Sequence, residues 1–336
     1  MLQIKDNFNL KAHNTFCISA YAEYFVEIKS EHNIIELFNN DIFNNNKFFV
    51  LGGGSNVLFK EDFKGLIIYI NNKGIKLIEE DDKHAYIEIA AGENWEDVID
   101  YCEKHNYQGI ENLSYIPGKA GSAPVQNIGA YGVEIKDVIH KVNAFHIDSK
   151  SKNTYSNTEC KFRYRDSIFK TELKNKTIIY SIVLKLNKFH QYNTSYKALA
   201  EELTNYKEIN LSNIRNVLYK IRNSKLPDYK TTGNAGSFFK NPIISEEQYS
   251  NLKLKYNDIN AHRTNEGYKI SAAWLIENAG WKNKESKTVS VYDKHALVII
   301  NKGNASGRDI IEFSTLIIND IFEKFQIKLQ PEVNFI

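Results

Sequence analysis

Short apolar runs between polar or glycine residues dominate the first half of the chain. They occupy residues 47–51, which three glycines follow, and residues 65–70 and 84–90, which polar or turn residues bound. Runs of this length between turn signals predict β-strands. Two similar segments surround residues 138–147 and 177–186. The first half is therefore predicted to be rich in strands with short connections.

Apolar residues at helical spacing follow the third of these runs. Trp95, Val98, Ile99 and Cys102 share one face of a helix, and Asn94 stands where an N-cap residue is favoured. We therefore predict an amphipathic helix that begins just after Asn94.

The second half mixes helical and strand patterns. Apolar residues share one helical face over residues 212–222, and Pro227 ends that helix and places a domain boundary nearby. Ser245 and Gln248 have the spacing of a capping box. Further helices are predicted at 270–278 and 308–325, and further strands at 295–301 and 327–336.

The order of these elements favours an α+β fold, because strands and helices do not alternate regularly as in a doubly wound sheet. The 336 residues suffice for two domains or slightly more. Charged residues make up 25% and hydrophobic residues 42%, as in ordinary globular proteins. The formal net charge of +2 gives no reason to expect a nucleic-acid or membrane partner.

Several other classes of protein are disfavoured. No run approaches the roughly 18 apolar residues of a membrane span, and the N-terminus has no signal-peptide core. Cys17, Cys102 and Cys160 are odd in number and far apart, which excludes a disulfide framework or a clustered zinc site. The histidines show no metal-ligand spacing. We therefore expect a cytoplasmic protein without a metal.

Residues 116–134, here called the cradle loop, combine four glycines with two of the five prolines in the chain. Glycine lets the main chain approach a ligand closely, and proline stiffens it. Ser122, Gln126 and Asn127 add polar groups. Loops of this length are usually functional or disordered, and the isoleucines, valine and tyrosine of this one argue against disorder. We interpret the segment as a ligand cradle.

Residues 52–57, here called the triple-glycine loop, follow the first predicted strand. Val57 stands where the Rossmann fingerprint needs its third glycine, and no Gly-Lys-Ser/Thr follows as in a P-loop. One glycine turn after a strand is more often structural than phosphate-binding. Two such loops in one domain can instead hold both ends of a pyrophosphate through backbone N–H groups. We infer a dinucleotide site outside the Rossmann pattern.

Residues 162–166 alternate aromatic residues with arginines. In a strand, Arg163 and Arg165 would share one face. Such a pair is usually a solvated surface, with Asp166 as a weak ion-pair partner. Beside a bound flavin or substrate, an arginine would instead clamp a carboxylate. The sequence leaves both interpretations open.

Residues 233–242, here called the serine loop, place Ser237 between a glycine and two phenylalanines. A phenylalanine stands where a nucleophile elbow needs its second glycine, which disfavours an acyl-enzyme hydrolase. Ser237 is then either a structural serine or a proton donor polarised by a nearby lysine or asparagine. Glu332, in the last predicted strand, is a lone carboxylate that is equally compatible with an ordinary surface position.

Seven motifs in this order resemble the UDP-N-acetylenolpyruvoylglucosamine reductase family and extend over nearly the whole chain. The cradle loop and the serine loop, with its sequence Gly-Asn-Ala-Gly-Ser-Phe-Phe-Lys-Asn-Pro, are the most specific. Tyr196 resembles the substrate-closing tyrosine of one of the two subtypes of this family. The matching motifs are residues 14–16, 51–58, 116–134, 162–169, 225–228, 233–242 and 331–333.

The resemblance implies a flavoenzyme of bacterial peptidoglycan synthesis. NADPH would reduce FAD, and hydride would pass from flavin N5 to the methylene carbon of the enolpyruvyl ether, which yields UDP-N-acetylmuramate. An FAD-binding region of the vanillyl-alcohol-oxidase type would span about residues 17–188. Its two subdomains would be residues 1–70 with 325–336 and residues 71–215, and an α+β substrate-binding domain would cover residues 225–324.

The resemblance also assigns roles to residues. Arg165 and Glu332 would stabilise charge at the substrate carboxylate, with Glu332 buried and either protonated or hydrogen-bonded, and Ser237 would donate the proton. Arg165 would also contact FAD. The other FAD contacts would be Gly52, Gly53, Gly54, Ser55, Asn56, Pro117, Gly118, Ser122, Asn127 and Gly129. The substrate contacts would be Tyr131, Tyr196, Arg222, Lys225 and Asn241.

Three places depart from the family pattern. Cys17 occupies a position where glycine is common. Lys119 and Ala120 replace a small or apolar pair, which makes Lys119 a candidate for a phosphate contact. Asn334 stands where arginine is frequent, and this change would lower substrate affinity more than catalytic competence.

Two other functions stay open. A flavin-dependent alcohol oxidase of the same superfamily would keep the fold, although such enzymes often attach FAD covalently, and His13, Cys17 and Cys102 lie outside the glycine loops. A catalytically silent nucleotide-binding protein would have no need of the proton donor.

Overall fold

A computed structural model describes residues 2–189 and 191–336 of the chain. Its helices are α1 Glu31–Phe38, α2 Asp41–Asn45, α3 Trp95–Lys104, α4 Lys197–Leu203, α5 Leu211–Lys225, α6 Glu246–Lys255, α7 Ala272–Asn278 and α8 Gly307–Phe325. Four short 3-10 turns cover Lys11–His13, Glu111–Leu113, Ala120–Ser122 and Ile135–Asp137.

The strands lie mainly in the first two thirds of the chain. They are β1 Ile4–Asn9, β2 Tyr21–Ile28, β3 Phe48–Leu51, β4 Val57–Leu58, β5 Phe63–Ile70, β6 Ile75–Glu80, β7 His84–Ala90, β8 Gly129–Ala130, β9 Val133–Glu134, β10 Ile139–His146, β11 Ser151–Ser156, β12 Thr177–Asn187, β13 Gly233–Ser237, β14 Ile243–Ile244, β15 Ala261–Thr264, β16 Gly267–Ile270, β17 Val289–Val291, β18 Val298–Asn301 and β19 Asn334–Phe335.

The chain divides into two compact units. Unit 1 comprises residues 2–8, Ala22–Gly53 and Lys64–Arg222, and unit 2 comprises Asn9–Tyr21, Gly54–Phe63 and Asn223–Ile336. This grouping puts residues 54–63 with the C-terminal part of the chain. The domain limits drawn from the family resemblance stay a prediction.

Unit 1 is built on two sheets. A four-stranded sheet has the order β1-β2-β5-β3, in which β3 and β5 run parallel, and a five-stranded sheet has the order β11-β10-β12-β7-β6 with antiparallel pairings. Buried aliphatic residues of both sheets and of α1 and α3 form one apolar core. A separate apolar cluster joins α4 to α5 through the predicted face of α5, which includes Ile214, Val217, Leu218 and Ile221.

Unit 2 contains two three-stranded sheets, β13-β18-β17 and β14-β16-β15, and the parallel pair β19-β4. Phe238, in the serine loop, contacts three other aromatic rings of this unit. Its ring centroid is 5.0 Å from that of Phe239, 6.2 Å from that of Phe16 and 6.1 Å from that of Phe335. The serine loop is thereby anchored in the core of this unit.

Local patterns placed most of these elements correctly. The predicted α+β fold is confirmed, and so are the capping box at Ser245 and the end of α5 two residues before Pro227. Asn94 is the N-cap of α3, but its side chain makes no capping hydrogen bond and donates instead to Asp97 at 2.9 Å.

The final strand is much shorter than predicted. Continuous strand pairing is limited to Asn334–Phe335, in register with Val57 and Leu58, and Pro331 forms an isolated bridge with Phe239, whereas residues 327–336 were expected to form a strand. Ile327, Leu329 and Val333 are buried, which explains the apolar alternation. Among the described residues, no strand pairs with this segment over its full length. The predicted strand at 295–301 is likewise limited to Val298–Asn301.

Candidate functional site

Left-handed backbone conformations are concentrated in and beside the cradle loop. Tyr115, Asn127, Tyr131 and Arg165 have φ values of 61°, 45°, 49° and 54°. For a residue with a Cβ atom this conformation costs about 1 kcal/mol or more, so it persists only where the surrounding structure fixes it. The cradle loop is therefore held in one specific, strained shape, as a ligand-binding loop requires.

The triple-glycine loop approaches the cradle loop too closely for side chains. A Cβ atom on Gly53 would lie 2.8 Å from Gly118 Cα, and one on Gly52 would lie 2.1 Å from Ser122 Oγ. Glycine is therefore required where the two main chains pass each other. Backbone N–H groups of such turns form anion-binding concavities, so this part of unit 1 fits the pyrophosphate of a dinucleotide.

The cradle loop is bound to its surroundings through main-chain hydrogen bonds. Gly118 O accepts from Trp95 N at 3.0 Å, Ala120 N donates to Glu93 O at 2.9 Å, and Gly121 N donates to Ala91 O at 2.9 Å. The start of α3 and the end of β7 therefore fix the middle of the loop.

The Lys119 ammonium binds the sheet of unit 1, whereas a contact with a phosphate was expected. Its side chain is buried, and Nζ donates to Ile70 O at 2.7 Å and Asn71 Oδ1 at 2.8 Å. Burial, with a smaller contribution from Lys73, lowers the pKa of Lys119 to about 8. The expected phosphate contact is wrong because the ammonium is already bound at the end of β5.

Arg165 lies in a tight turn, and the strand interpretation of residues 162–166 is wrong. Arg163 and Asp166 exchange two backbone hydrogen bonds of 3.0 and 3.1 Å, which close the turn. Arg163 and Arg165 therefore do not share a strand face. The Arg165 guanidinium instead donates to Gly129 O at 2.8 Å and to Asn127 O at 3.4 Å, which fixes it against the cradle loop.

The Asn127 side chain maintains the shape of the cradle loop. It donates to Glu134 Oε2 and Arg163 O at 3.0 Å each, and its oxygen accepts from Lys136 N at 3.1 Å. The side chain is thus engaged within unit 1, and the backbone is the part of Asn127 that is suited to contact a cofactor.

Three predicted substrate contacts lie together in unit 1. Tyr131 shares a hydrogen bond with Arg222, and the Tyr131 and Tyr196 rings meet edge to face with centroids 5.0 Å apart. Burial raises the pKa of Tyr131 and lowers the pKa of Arg222. Together they present a hydroxyl, a guanidinium and an exposed aromatic ring.

Asn112 supports this group and was missed by the sequence reasoning. Its buried amide donates to Tyr131 O at 2.9 Å and to Asn193 O at 2.8 Å, and so joins the cradle loop to the segment before Tyr196. No local sequence signal marks Asn112, because its acceptors lie 19 and 81 residues away.

In unit 2, an irregularity in β13 exposes Ser237. Gly233 and Asn234 pair with Asn301 and Ile300, but the pairing shifts before Ser237 meets Val298. A bulge of this kind redirects side chains at the end of a strand. The Ser237 side chain is exposed on a backbone that the buried phenylalanines after it hold in place.

Glu332 and the end of the triple-glycine loop lie next to the serine loop in unit 2. Glu332 N donates to Phe238 O at 2.8 Å, and Asn56 Nδ2 donates to Glu332 O at 3.3 Å. Glu332 is half-buried, whereas a buried position was expected. Asn334 Nδ2 donates to Asn56 O at 3.0 Å, so Asn334 supports the loop backbone where the family often has a charge.

The sharp turn at Gly54 rests on the Asn14–Phe16 motif. Gly54 has a φ of 65°, a Cβ atom there would lie 2.0 Å from His13 O, and Thr15 N donates to Gly54 O at 3.1 Å. Cys17 follows with a φ of 57°, which explains why glycine suits that position. Among the remaining predicted residues of this part of the chain, Ser55 is half-buried.

Two further predicted substrate contacts belong to unit 2, and one predicted FAD contact to unit 1. Asn241 Oδ1 accepts from Ala272 N at 2.9 Å, at the first turn of α7, which orients the amide. Lys225 is exposed at the end of α5. Pro117 is half-buried at the start of the cradle loop in unit 1.

Other kinds of site were also sought. Within residues 2–189 and 191–336, no group of three or more His, Cys, Asp and Glu side chains is arranged to hold a metal ion. In the same part of the chain, no helix combines the length and apolarity needed to cross a membrane.

Known proteins match the chain over its full length. A family model described as UDP-N-acetylenolpyruvoylglucosamine reductase, C-terminal domain, matches residues 227–336, and a model described as FAD binding domain matches residues 22–150. The chain is 42% identical to the UDP-N-acetylenolpyruvoylglucosamine reductase of Flavobacterium johnsoniae, with 100% of both chains covered. It is 41% identical to that of Amoebophilus asiaticus, also with 100% of both chains covered.

A solved structure has the same fold. The crystal structure of UDP-N-acetylenolpyruvylglucosamine reductase from Thermus caldophilus covers 100% of this chain at a TM-score of 0.71 and 19% identity, with 99% of its own chain aligned. The fold is α+β, with an FAD-binding domain and a C-terminal domain like that of this reductase. Full-length identity at this level shows that the chain belongs to the UDP-N-acetylenolpyruvoylglucosamine reductase family.

Proposed function

We propose that this chain reduces the enolpyruvyl ether of UDP-N-acetylglucosamine to UDP-N-acetylmuramate in the cytoplasm, with NADPH as electron donor. The proposal rests on the family membership and on one structural observation, the close approach of two glycine loops in unit 1, which suits a pyrophosphate. FAD, when bound, supplies the hydride for the reduction. The odd number and wide spacing of the three cysteines support a reducing compartment.

The FAD pyrophosphate is assigned to the backbone of the two glycine loops. Gly52 and Gly53 of the triple-glycine loop and Gly118 and Ser122 of the cradle loop meet in unit 1. Rigid N–H donors suit a phosphate because their orientation is fixed before the ligand arrives. The other FAD contacts proposed are Gly54, Ser55, Asn56, Pro117, Asn127, Gly129 and Arg165.

Arg165 is assigned to the substrate carboxylate. Its bonds to Gly129 O and Asn127 O hold the guanidinium in one orientation. A planar guanidinium with five donors can use two to hold its position and direct others at a carboxylate. Addition of hydride to the methylene carbon places negative charge on the neighbouring carbon and its carboxylate, and a fixed cation stabilises this charge as it develops.

Ser237 is assigned as the proton donor to that carbon, and Glu332 as its hydrogen-bonding neighbour at the carboxylate. The irregular end of β13 exposes the hydroxyl, and the backbone of Glu332 is bonded to the residue after Ser237. Serine is a weak acid, but a carbanion beside a carboxylate is a strong base. General acid catalysis of this kind contributes about 10² to 10⁴ in rate.

The sugar nucleotide is assigned to the remaining polar residues. Tyr131, Arg222 and Tyr196 of unit 1 offer donors and a ring suited to a diphosphate and its sugar. Lys225 and Asn241 of unit 2 add a cation and an amide.

Anaerobic stopped-flow absorbance of the FAD-loaded protein tests the proposal. NADPH should bleach the visible flavin band, and the UDP-linked enolpyruvyl sugar should then restore it without oxygen. Recovery with oxygen alone would indicate an oxidase, and a protein that NADPH does not bleach would indicate a silent nucleotide-binding protein. Either result contradicts the proposal.

Ser237→Ala separates the two half-reactions. Bleaching by NADPH should keep its rate, because Ser237 is not assigned to that step. Recovery with substrate should slow by at least ~10²-fold, because the proton donor is lost. Equal slowing of both steps, or of neither, would contradict the role of Ser237.

A further inference from the structure

We propose that Lys119 is a positioning residue for the FAD site, one that fixes the distance between the cradle loop and the triple-glycine loop without contacting the cofactor. The inference rests on the proposed assignment of the FAD pyrophosphate to these two loops. Within unit 1, Lys119 is the residue whose backbone lies at the contact between the loops while its side chain reaches the sheet.

The backbone of Lys119 forms part of the close passage. A Cβ atom on Gly53 would lie 3.3 Å from Lys119 N, and one on Gly52 would lie 3.9 Å from Lys119 Cβ. Any shift of Lys119 therefore changes the gap between the two loops directly.

The side chain of Lys119 binds the strand beside the triple-glycine loop. The loop leaves the carboxyl end of β3, and β3 pairs in parallel with β5, with Leu51 opposite Tyr69. Lys119 Nζ donates to Ile70 O and Asn71 Oδ1, at the carboxyl end of β5, and lies 3.9 Å from the centroid of the Tyr69 ring. Both loops are thereby attached to the carboxyl ends of two adjacent parallel strands, β3 and β5, of one sheet.

Burial makes this anchor specific to a lysine. The residue is 5% exposed, so a neutral replacement would leave two acceptors without their charged donor. The charged groups around the ammonium are Glu27 of β2, Lys73 after β5 and Glu93 before α3, and the Tyr69 hydroxyl on β5 is also titratable. Glu27 and Glu93 favour the ammonium, whereas burial and Lys73 oppose it.

The anchor should therefore weaken in alkaline solution. Since the pKa of Lys119 is lowered to about 8, the ammonium is present at pH 7 and is lost as the pH rises above 8. A neutral amine makes weaker hydrogen bonds than an ammonium. FAD affinity should be highest at pH 7 and below and should decline as the pH rises through 8.

FAD titration of the apoprotein, followed by quenching of flavin fluorescence, tests the inference. Lys119→Met should raise the FAD dissociation constant about 10-fold at pH 7, as expected for the loss of hydrogen bonds to a charged donor. Lys76→Met, at an exposed lysine of β6, is the matched control and should leave it unchanged. A Lys119→Met constant within twofold of wild type would overturn the inference.

The wild-type pH profile is a second test that needs no variant. The FAD dissociation constant should rise about threefold or more between pH 7 and pH 9.5, and the profile of Lys119→Met should be flat. If Lys119→Met does not fold, the wild-type profile decides alone, and a flat one overturns the inference. Asn71→Ala separates anchoring from direct contact: it should also weaken FAD binding, whereas unchanged binding would mean that Lys119 acts on the cofactor itself. Wild-type apoprotein that binds no FAD would overturn the proposed function as well.

Discussion

Arg215→Met should destabilise unit 1, because Arg215 on α5 is surrounded by three carboxylates of α3. Arg215 Nη2 lies 2.6 Å from Glu96 and 2.5 Å from Asp100, and Nη1 contacts Glu103. The carboxylates are spaced at four and three residues, so they share one face of α3. The guanidinium is the cation that these three carboxylates share.

The magnitude follows from the burial of the partners. Only 10% of the Arg215 side chain is exposed, and removing one partner from a buried ion pair costs about 3 to 5 kcal/mol. The three carboxylates are 31%, 60% and 29% exposed and can rehydrate, so this cost must be reduced. We expect a loss of about 2 kcal/mol in the free energy of unfolding, which corresponds to roughly 4 to 8 °C in Tm.

Urea and thermal unfolding of the apoprotein, followed by circular dichroism, measure this effect. Arg263→Met is the matched control, because Arg263 is 73% exposed and lies 3.8 Å from Glu246, and its change should stay within about 0.5 kcal/mol. Asp100→Asn should recover part of the loss in the Arg215→Met background, since one repelling charge is removed. A loss below about 0.5 kcal/mol for Arg215→Met would refute the reasoning.

Three further substitutions have defined outcomes. Cys17→Gly should raise the free energy of unfolding by about 0.5 to 1 kcal/mol, because Cys17 has a φ of 57°, and a lower Tm would contradict this. Gly53→Ala should weaken FAD binding by about tenfold or more, because the new methyl group would lie 2.8 Å from Gly118 Cα, and equal affinity in a flavin titration would show that the loops can separate freely. His295→Gln should reduce the loss of stability on acidification. Burial, together with Lys225, lowers the pKa of His295, and His295 Nδ1 accepts a hydrogen bond from Leu297 N at 3.3 Å. The stability that neutral His295 contributes is therefore present above about pH 6.5 and is lost as the pH falls. Unfolding midpoints of both proteins across pH 5 to 7 test this, and parallel curves would exclude the role of His295.

Features set by neighbouring residues could be predicted from the sequence. The strand at residues 84–90 and the buried face of α5 follow from apolar spacing, and the capping box at Ser245 follows from two side chains three residues apart. The composition of the two glycine loops indicated a close approach of the main chain, which the structure shows between them, and their role as ligand loops stays a prediction.

Features set by distant residues required the tertiary structure. Lys119 was expected at a phosphate, but its acceptor Ile70 lies 49 residues away, at the end of a strand that the local sequence does not relate to it. The orientation of the Arg165 guanidinium depends on carbonyls 36 and 38 residues earlier, and the short pairing of β19 depends on β4 near the other end of the chain. Hydrophobic periodicity and secondary-structure propensity depend on residues that are neighbours along the chain. The orientation of a buried polar side chain instead depends on the hydrogen-bond partners that the folded chain brings to it.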